Sequence, residues 1–239
     1  MKTVTFTILA SMLALTTIAQ EAPPVVTPKR TILKYTPPKT AGSGLRADTD
    51  GGSRAGGAKL PSLFVLTPDH MGITTQAQPS LFWFQDGPAP KDVGARFELT
   101  LVDPKNPKPV LKVGAPLADQ KDGGAGIHRI QLARQKITLE PGVAYKWSVA
   151  LVPDANNRSQ DLVASGVIQR SEPSAELTAE LAKTDKAAAY AANGVWYDAL
   201  SALSDQIDAA PKDATLRAAR ADLLQQAGLK TAAEFERKK

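Results

Sequence analysis

A strand-rich region followed by a helical tail, fold class α+β, is what the 239-residue sequence predicts, on three observations. Between Leu60 and Arg170 the apolar residues recur in short alternating runs separated by proline, glycine and asparagine turns, the pattern of an antiparallel β-sandwich. After Arg170 the apolar period changes from two to about 3.6 and alanine becomes frequent, the pattern of packed helices. Within the tail, Gly194 and Gly228 stand 34 residues apart, as do Ala187 and Ala221, Tyr190 and Leu224, and Ala199 and Ala233, which marks a helical repeat.

The first residues predict export. Lys2 precedes an apolar run from Val4 to Leu15, and Thr17-Ile18-Ala19 puts small residues at the cleavage positions, so 1–19 reads as a signal peptide cleaved near Ala19. The run falls short of the roughly 20 apolar residues a spanning helix needs. The mature chain is therefore expected to be secreted or periplasmic and not an integral membrane protein. Cysteine is absent, which excludes disulfides and thiolate metal sites.

Residues 20–59 are expected to form a flexible, basic, Pro/Gly-rich linker. Pro23, Pro24, Pro28, Pro37 and Pro38 are followed by glycine pairs at 51–52 and 56–57, and such composition buries too little apolar surface to offset its ordering entropy. Lys29, Arg30, Lys34, Lys39, Arg46, Arg54 and Lys59 outnumber the acids here, and an anionic envelope polymer would suit them. No Lys-Ser or Lys-Thr follows the glycines, so they are not a phosphate-binding loop. Across the chain 29 Lys and Arg face 24 Asp and Glu, a net charge of +5 too dispersed to predict nucleic-acid binding.

The sandwich domain is expected over 60–172, with strands at 62–66, 80–85, 95–102, 110–113, 127–132, 136–139, 144–152 and 162–169. Phe97, Leu99 and Leu101 alternate with Arg96, Glu98 and Thr100, and Tyr145, Trp147, Val149 and Leu151 share one parity, as half-buried strands require. Pro104, Pro107 and Pro109 mark a turn or an edge, because proline cannot donate to a central ladder. The turn-forming run from Asp154 to Ser159 should close a hairpin. Tyr145, just after the Pro141-Gly142 corner, resembles the tyrosine corner of immunoglobulin/fibronectin-like domains, whose hydroxyl satisfies an upstream backbone group. Trp147 and Trp83 then read as core anchors.

The helical unit is expected over 173–239. Ser174 is placed to cap a first helix to about Lys183, and a second covers Asp185 to Ala192. A third, from Val195 to about Ala209, carries Trp196, Leu200, Leu203 and Ile207 on one stripe and stops before Pro211. The fourth runs to Gly228. The 34-residue period, with Tyr190, Gly194, Ala199 and Pro211 in place, gives the unit a tetratricopeptide-like character. Fewer than three repeats are rarely stable alone, so it should pack on the sandwich.

Several stretches together resemble bacterial domain-of-unknown-function family 928. They are Gly51-Gly52-Ser53-Arg54, Leu66-Thr67-Pro68 to Phe82-Trp83-Phe84, Tyr145-Lys146-Trp147, Asn157-Arg158-Ser159-Gln160-Asp161 with Gly166 to Arg170, and Gly194-Val195-Trp196-Tyr197-Asp198-Ala199-Leu200. They cover nearly all of the expected mature chain. Many members carry a cysteine shortly after the glycine-rich motif, where this chain has Ala58 and Lys59, so no role of that thiol carries over. The resemblance implies an exported module and assigns it no activity.

No catalytic constellation is predicted. His70 and His128 lack ligand spacing, and Asp69-His70 falls short of the three or four ligands a zinc ion wants, so no metal and no cofactor are expected. No Gly-x-Ser-x-Gly elbow is present. Three side chains are candidates for partner contact: Trp83 as an aromatic platform, Arg158 as a fork for a carboxylate or phosphate, and Tyr197, about 100° around the helix from the Trp196 stripe. Arg158 also has a local use, clamping its hairpin between Asp154 and Asp161. Asn157, Gly194, Trp196 and Asp198 read as structural. The expected function is non-catalytic interaction with another envelope or exported protein. Polysaccharide binding through Trp83 or Tyr197 is the rival, and hydrolysis a weaker one.

Overall fold

The computed structural model describes residues 33–38, 45–48, 53–55, 58–88, 96–116 and 124–239. The expected signal peptide, and Lys29, Arg30 and Lys39 of the expected linker, lie outside the described residues. Strands come first and helices follow, a mixed α+β chain. The strands are β1 (Ser53–Ala55), β2 (Ala58–Lys59), β3 (Leu63–Val65), β4 (Gly72–Thr74), β5 (Ser80–Gln85), β6 (Arg96–Asp103), β7 (Asn106–Pro116), β8 (Gly126–Gln131), β9 (Ala144–Val152) and β10 (Leu162–Arg170). The helices are α1 (Ala175–Leu181), α2 (Lys186–Ala192), α3 (Trp196–Ala209), α4 (Ala214–Gln226) and α5 (Lys230–Lys238).

Beside the β1–β2 ribbon, the strands form a five-stranded sheet, β4-β10-β9-β6-β7, and a three-stranded one, β3-β5-β8. The β9–β10 hairpin forms as the turn signal predicts, with Leu162 opposite Leu151. β7, which carries Pro107 and Pro109, is an edge, where a missing N–H costs no ladder bond. Two expectations are corrected. The strand expected at 136–139 is absent because Lys136 takes a left-handed φ of 56°, which breaks the extended run. The sheets are not wholly antiparallel either: β4 pairs parallel to β10, with Gly72 opposite Ile168.

β5 shows why two phenylalanines flank Trp83. All six of its residues are buried. Trp83, on one face, meets the Phe97 ring of β6 edge-on at 5.4 Å, and Phe84, on the other, packs against Phe235 of α5 at 5.1 Å. A strand covered on both faces loses the in-out alternation.

Helix starts follow their capping residues. The Ser174 hydroxyl accepts from Leu177 N at 3.0 Å, and the Asp185 carboxylate from Ala188 N at 3.1 Å. Two of the interhelical turns share one pattern of backbone bonds. Val195 N donates to Tyr190 O and Leu229 N to Leu224 O, both at 2.9 Å, and the glycines before them, Gly194 and Gly228, take φ of 72° and 77°. Only glycine adopts that left-handed conformation without a Cβ penalty.

The expected linker is corrected where the structure describes it. Leu33 and Tyr35 are buried in the main core, Tyr35 N donates to Gln226 Oε1 at 2.8 Å, and Thr36 N donates to Ala191 O at 3.0 Å. Arg46 bonds the carbonyls of Thr67 and Ala227, and Ala47 bridges to Ser165. These segments strap the helices to the sheets. Proline density hid the two apolar anchors that supply the ordering energy. One core runs through both halves, from Leu99, Trp147 and Ile168 to Trp196, Leu200 and Leu223. Among the described residues no helix is long and apolar enough to cross a membrane.

Candidate functional site

The start of α3 docks three consecutive side chains onto three points of the strand region. The Trp196 indole donates to Leu66 O at 2.8 Å. The Tyr197 hydroxyl accepts from the Trp147 indole at 2.8 Å and lies 3.0 Å from Thr67 Oγ1, to which it donates. Asp198 accepts from the hydroxyls of Thr74 and Thr75 and from Thr75 N. Burial pushes the Asp198 carboxyl above the usual carboxylate range, and these hydrogen bonds only partly oppose it. Gly72 makes room for the docking, since a Cβ there would lie 2.5 Å from the Tyr197 ring.

Beyond Asp198, α3 forms one wall of an open groove of about 810 Å³. Asp198, Ser201, Ala202, Asp205 and Gln206 recur at helical spacing along this wall. The opposite wall comes from the segment before β5, with Gln76 and Gln78, and from β8, with Arg129 and Gln131; Lys186 and Tyr190 of α2 close one end. Arg129 spans the walls: its Nε donates to Ser80 Oγ at 2.9 Å, its Nη1 pairs with Asp205, and its guanidinium lies 5.3 Å from the Phe82 ring. Asp185 accepts from Gln206 Nε2 at 2.6 Å. Burial, and then the charge of Asp198, raise the Tyr190 phenol above its ordinary range. The groove thus presents amides and hydroxyls, and several of its charges are already bonded within the chain.

None of the three side chains expected to meet a partner lines this groove. Trp83 is only 8% exposed, stacked on His128 and edged by Phe97, so it is not a surface platform. Tyr197 is fully buried. It faces away from the Trp196 indole, yet strand-borne groups cover that side of α3 too. Arg158 is partly exposed, but its guanidinium is held by Glu98 at 2.9 Å and by Asp161 at 2.7 Å. Asp154, the other carboxylate expected in that clamp, instead accepts from Asn156 N, while Asn157 Oδ1 accepts from Ser159. Tyr145 does form its corner, its hydroxyl accepting from Glu140 N at 3.2 Å. Sequence reasoning missed the groove residues because they lie far apart in the chain. The polar stripe of α3 was the one legible signal.

The Arg158 clamp makes a pH-dependent prediction. Its hydrogen bonds hold the Glu98 carboxyl below its ordinary value of 4.5, with burial opposing. A lowered folded-state value stabilises the protein above 4.5, and the contribution disappears as pH falls through that lowered value. Arg158→Ala should therefore lower the urea midpoint at pH 7, with a deficit that shrinks well below pH 4.5. A deficit constant across that range would assign the loss to packing instead.

Among the described residues, no three His, Asp or Glu side chains gather where a metal ion could sit. His70 lies 3.1 Å from the Tyr35 hydroxyl, and His128 bonds Gly124 O. No curated protein matches the chain. The Gly194-to-Leu200 motif has a structural meaning in this chain, since it is the segment that seats the helices. The family described as Domain of Unknown Function (DUF928) matches residues 49–236, most of the chain, and the protein belongs to that family.

Proposed function

We propose that this is an exported, non-catalytic interaction module of the bacterial cell envelope, secreted or periplasmic, that receives another exported protein in the groove between α3 and β8. The observation that carries this reading is the groove's lining of amides and hydroxyls, with Arg129 bonded to Asp205 and Asp185 bonded to Gln206. Such a surface offers hydrogen bonds to a polypeptide without a large charge-desolvation cost. Asp198, the buried acid at its wall, spends both oxygens on threonine and backbone donors, which argues against a role as a general acid or base.

The finer architecture we favour is an immunoglobulin-like sandwich joined to a tetratricopeptide-like helical unit. The Tyr145 corner supports the first, and the matched turns at Gly194 and Gly228 support the second. Polysaccharide binding is the second reading. Burial of Trp83 and Tyr197 removes its original carriers, but Gln76, Gln78, Gln131 and the half-buried Tyr190 line the groove and suit sugar hydroxyls.

Truncation after Arg170 would expose the shared core, so the test keeps the chain whole. A photo-crosslinking residue at Ala202 should trap one discrete protein in the envelope, and Ser201→Trp, which fills the groove, should abolish the product without changing the melting temperature. Crosslinks that survive Ser201→Trp would sink the groove as the site. Titration with envelope polysaccharide, giving binding lost in Ser201→Trp, would favour the second reading.

A further inference from the structure

The smaller sheet ends at β8 while the larger one continues to β7. Trp83 of β5 and His128 of β8 both meet the Phe97 ring of β6, which sets these two strands over β6 and leaves β7 without a strand facing it. A cleft of about 480 Å³ opens there, lined by Leu99 and Val113 of the larger sheet and by Arg129, Ile130 and Gln135 on the β8 side. Arg129 also lines the α3 groove, so the outer edge of β8 runs between two clefts.

The backbone groups on that edge follow from the ladder. Leu132 N donates to Pro79 O at 2.9 Å, and bonded pairs alternate along an antiparallel ladder, so Ile130 and His128 bond β5 opposite Leu81 and Trp83. The N–H and C=O of Ile127 and Arg129 then point away from β5. Among the described residues β8 pairs with no other strand, and Gln131 O, taken by Arg134 N at 3.1 Å, ends the open run. An unpaired edge is a template for another strand. Side chains alternate as well: Arg129 and Gln131 line the α3 groove, while His128 and Ile130 line the cleft toward the larger sheet.

We infer that the β8 edge accepts an extended segment of the exported partner as a fourth, antiparallel strand; this rests on the reading of the α3–β8 groove as that partner's site. An added strand alternates between the two clefts. Its side chains of one parity enter the α3 groove, where Asp205 and Asp208, with side chains 62% and 76% exposed, share the guanidinium of Arg129. The remaining negative charge selects lysine or arginine. Those of the other parity cover Leu99 and Val113 and are apolar.

The probe is a peptide alternating valine with lysine and threonine, titrated into the full-length protein. The Ile127 and Arg129 amides should exchange quickly in the free protein, and saturating peptide should slow them about tenfold or more. Residues opposite Ile127 and Arg129 in an antiparallel pair carry side chains on the same face. N-methylation of the peptide's lysine and threonine amides should therefore abolish binding, and N-methylation of its valine amides should spare it. Ile127→Pro removes an outward N–H and no ladder bond, and should weaken binding about tenfold. Absence of saturable binding, or any other methylation pattern, would overturn the inference. So would protection of Ile127 and Arg129 before peptide is added, since the chain itself or a second copy would then fill the edge. These measurements use the unsubstituted protein and stand even if Ile127→Pro does not fold. An Ala202 crosslink that forms equally in Ile127→Pro would keep the groove as a protein site and reject strand addition, whereas no Ala202 product in either protein would fail the groove reading itself.

Discussion

Tyr197→Ala is expected to lower the unfolding free energy by about 4–6 kcal/mol, read as a shift of the urea denaturation midpoint. Deleting a fully buried aromatic ring costs about 3–5 kcal/mol in transfer and cavity energy. The deletion also strands the Trp147 indole N–H, which is fully buried and otherwise bonded to the Tyr197 hydroxyl; an unpaired buried donor adds about 1–3 kcal/mol. The two contributions overlap where the site relaxes, so the sum is an upper guide. Tyr197→Phe separates them: it keeps the ring and should lose only about 1–3 kcal/mol. An unchanged midpoint for Tyr197→Ala would mean that α3 does not sit on the sheet through this residue.

Trp196→Ala should cost about 3–5 kcal/mol, and the damage should reach a distant part of the chain. Its ring meets Tyr35 edge-on at 5.2 Å, and Tyr35 belongs to the 33–38 strap. That strap is held by Thr36 N on Ala191 O and by the Gln226 side chain on both Tyr35 N and Leu33 O. With the indole gone, Tyr35 loses its ring contact and Leu66 O loses its donor. Hydrogen exchange at the Thr36 amide should then accelerate more than exchange within β9, because the strap opens before the sheets do. Equal acceleration at the two places would show that the strap and the sheets unfold as one unit.

Both predictions concern adjacent residues, and their side chains show where legibility stopped. The Trp196 stripe was readable because helix periodicity sets which residues share a face. The burial of Tyr197 was not, since a residue about 100° from the apolar stripe is exposed only if nothing covers that side. Here Thr67 and Trp147 cover it, 130 and 50 positions away in sequence. Gly72 is the other half of that contact, and a lone glycine opening a three-residue strand carries no pattern from which to read it.

The candidate site divides the same way. Asp198, Ser201 and Asp205 repeat along one helix and could be placed together from spacing. Their neighbours Gln76 and Gln78 come from the segment before β5, and Arg129 and Gln131 from β8, and only the packing of α3 beside β8 assembles them. Arg158 bonds Asp161 beside its own hairpin and also forks onto both carboxylate oxygens of Glu98, which is brought across from β6 by sheet pairing and not by the hairpin itself.

Sequence by itself determined the features that depend on near neighbours: the alternating strands, the capped helix starts, the turn glycines at Gly194 and Gly228, the Tyr145 corner and the order of strands before helices. Tertiary structure decided the parallel β4–β10 pairing, the strap at 33–38, the burial of Trp83 and Tyr197, and the groove beside α3. The reason is range. Period and capping act over two to four residues, so they are written locally. Burial and cavity shape depend on which distant surfaces meet, and the 34-residue repeat could state how the helices turn but not which sheet they would cover.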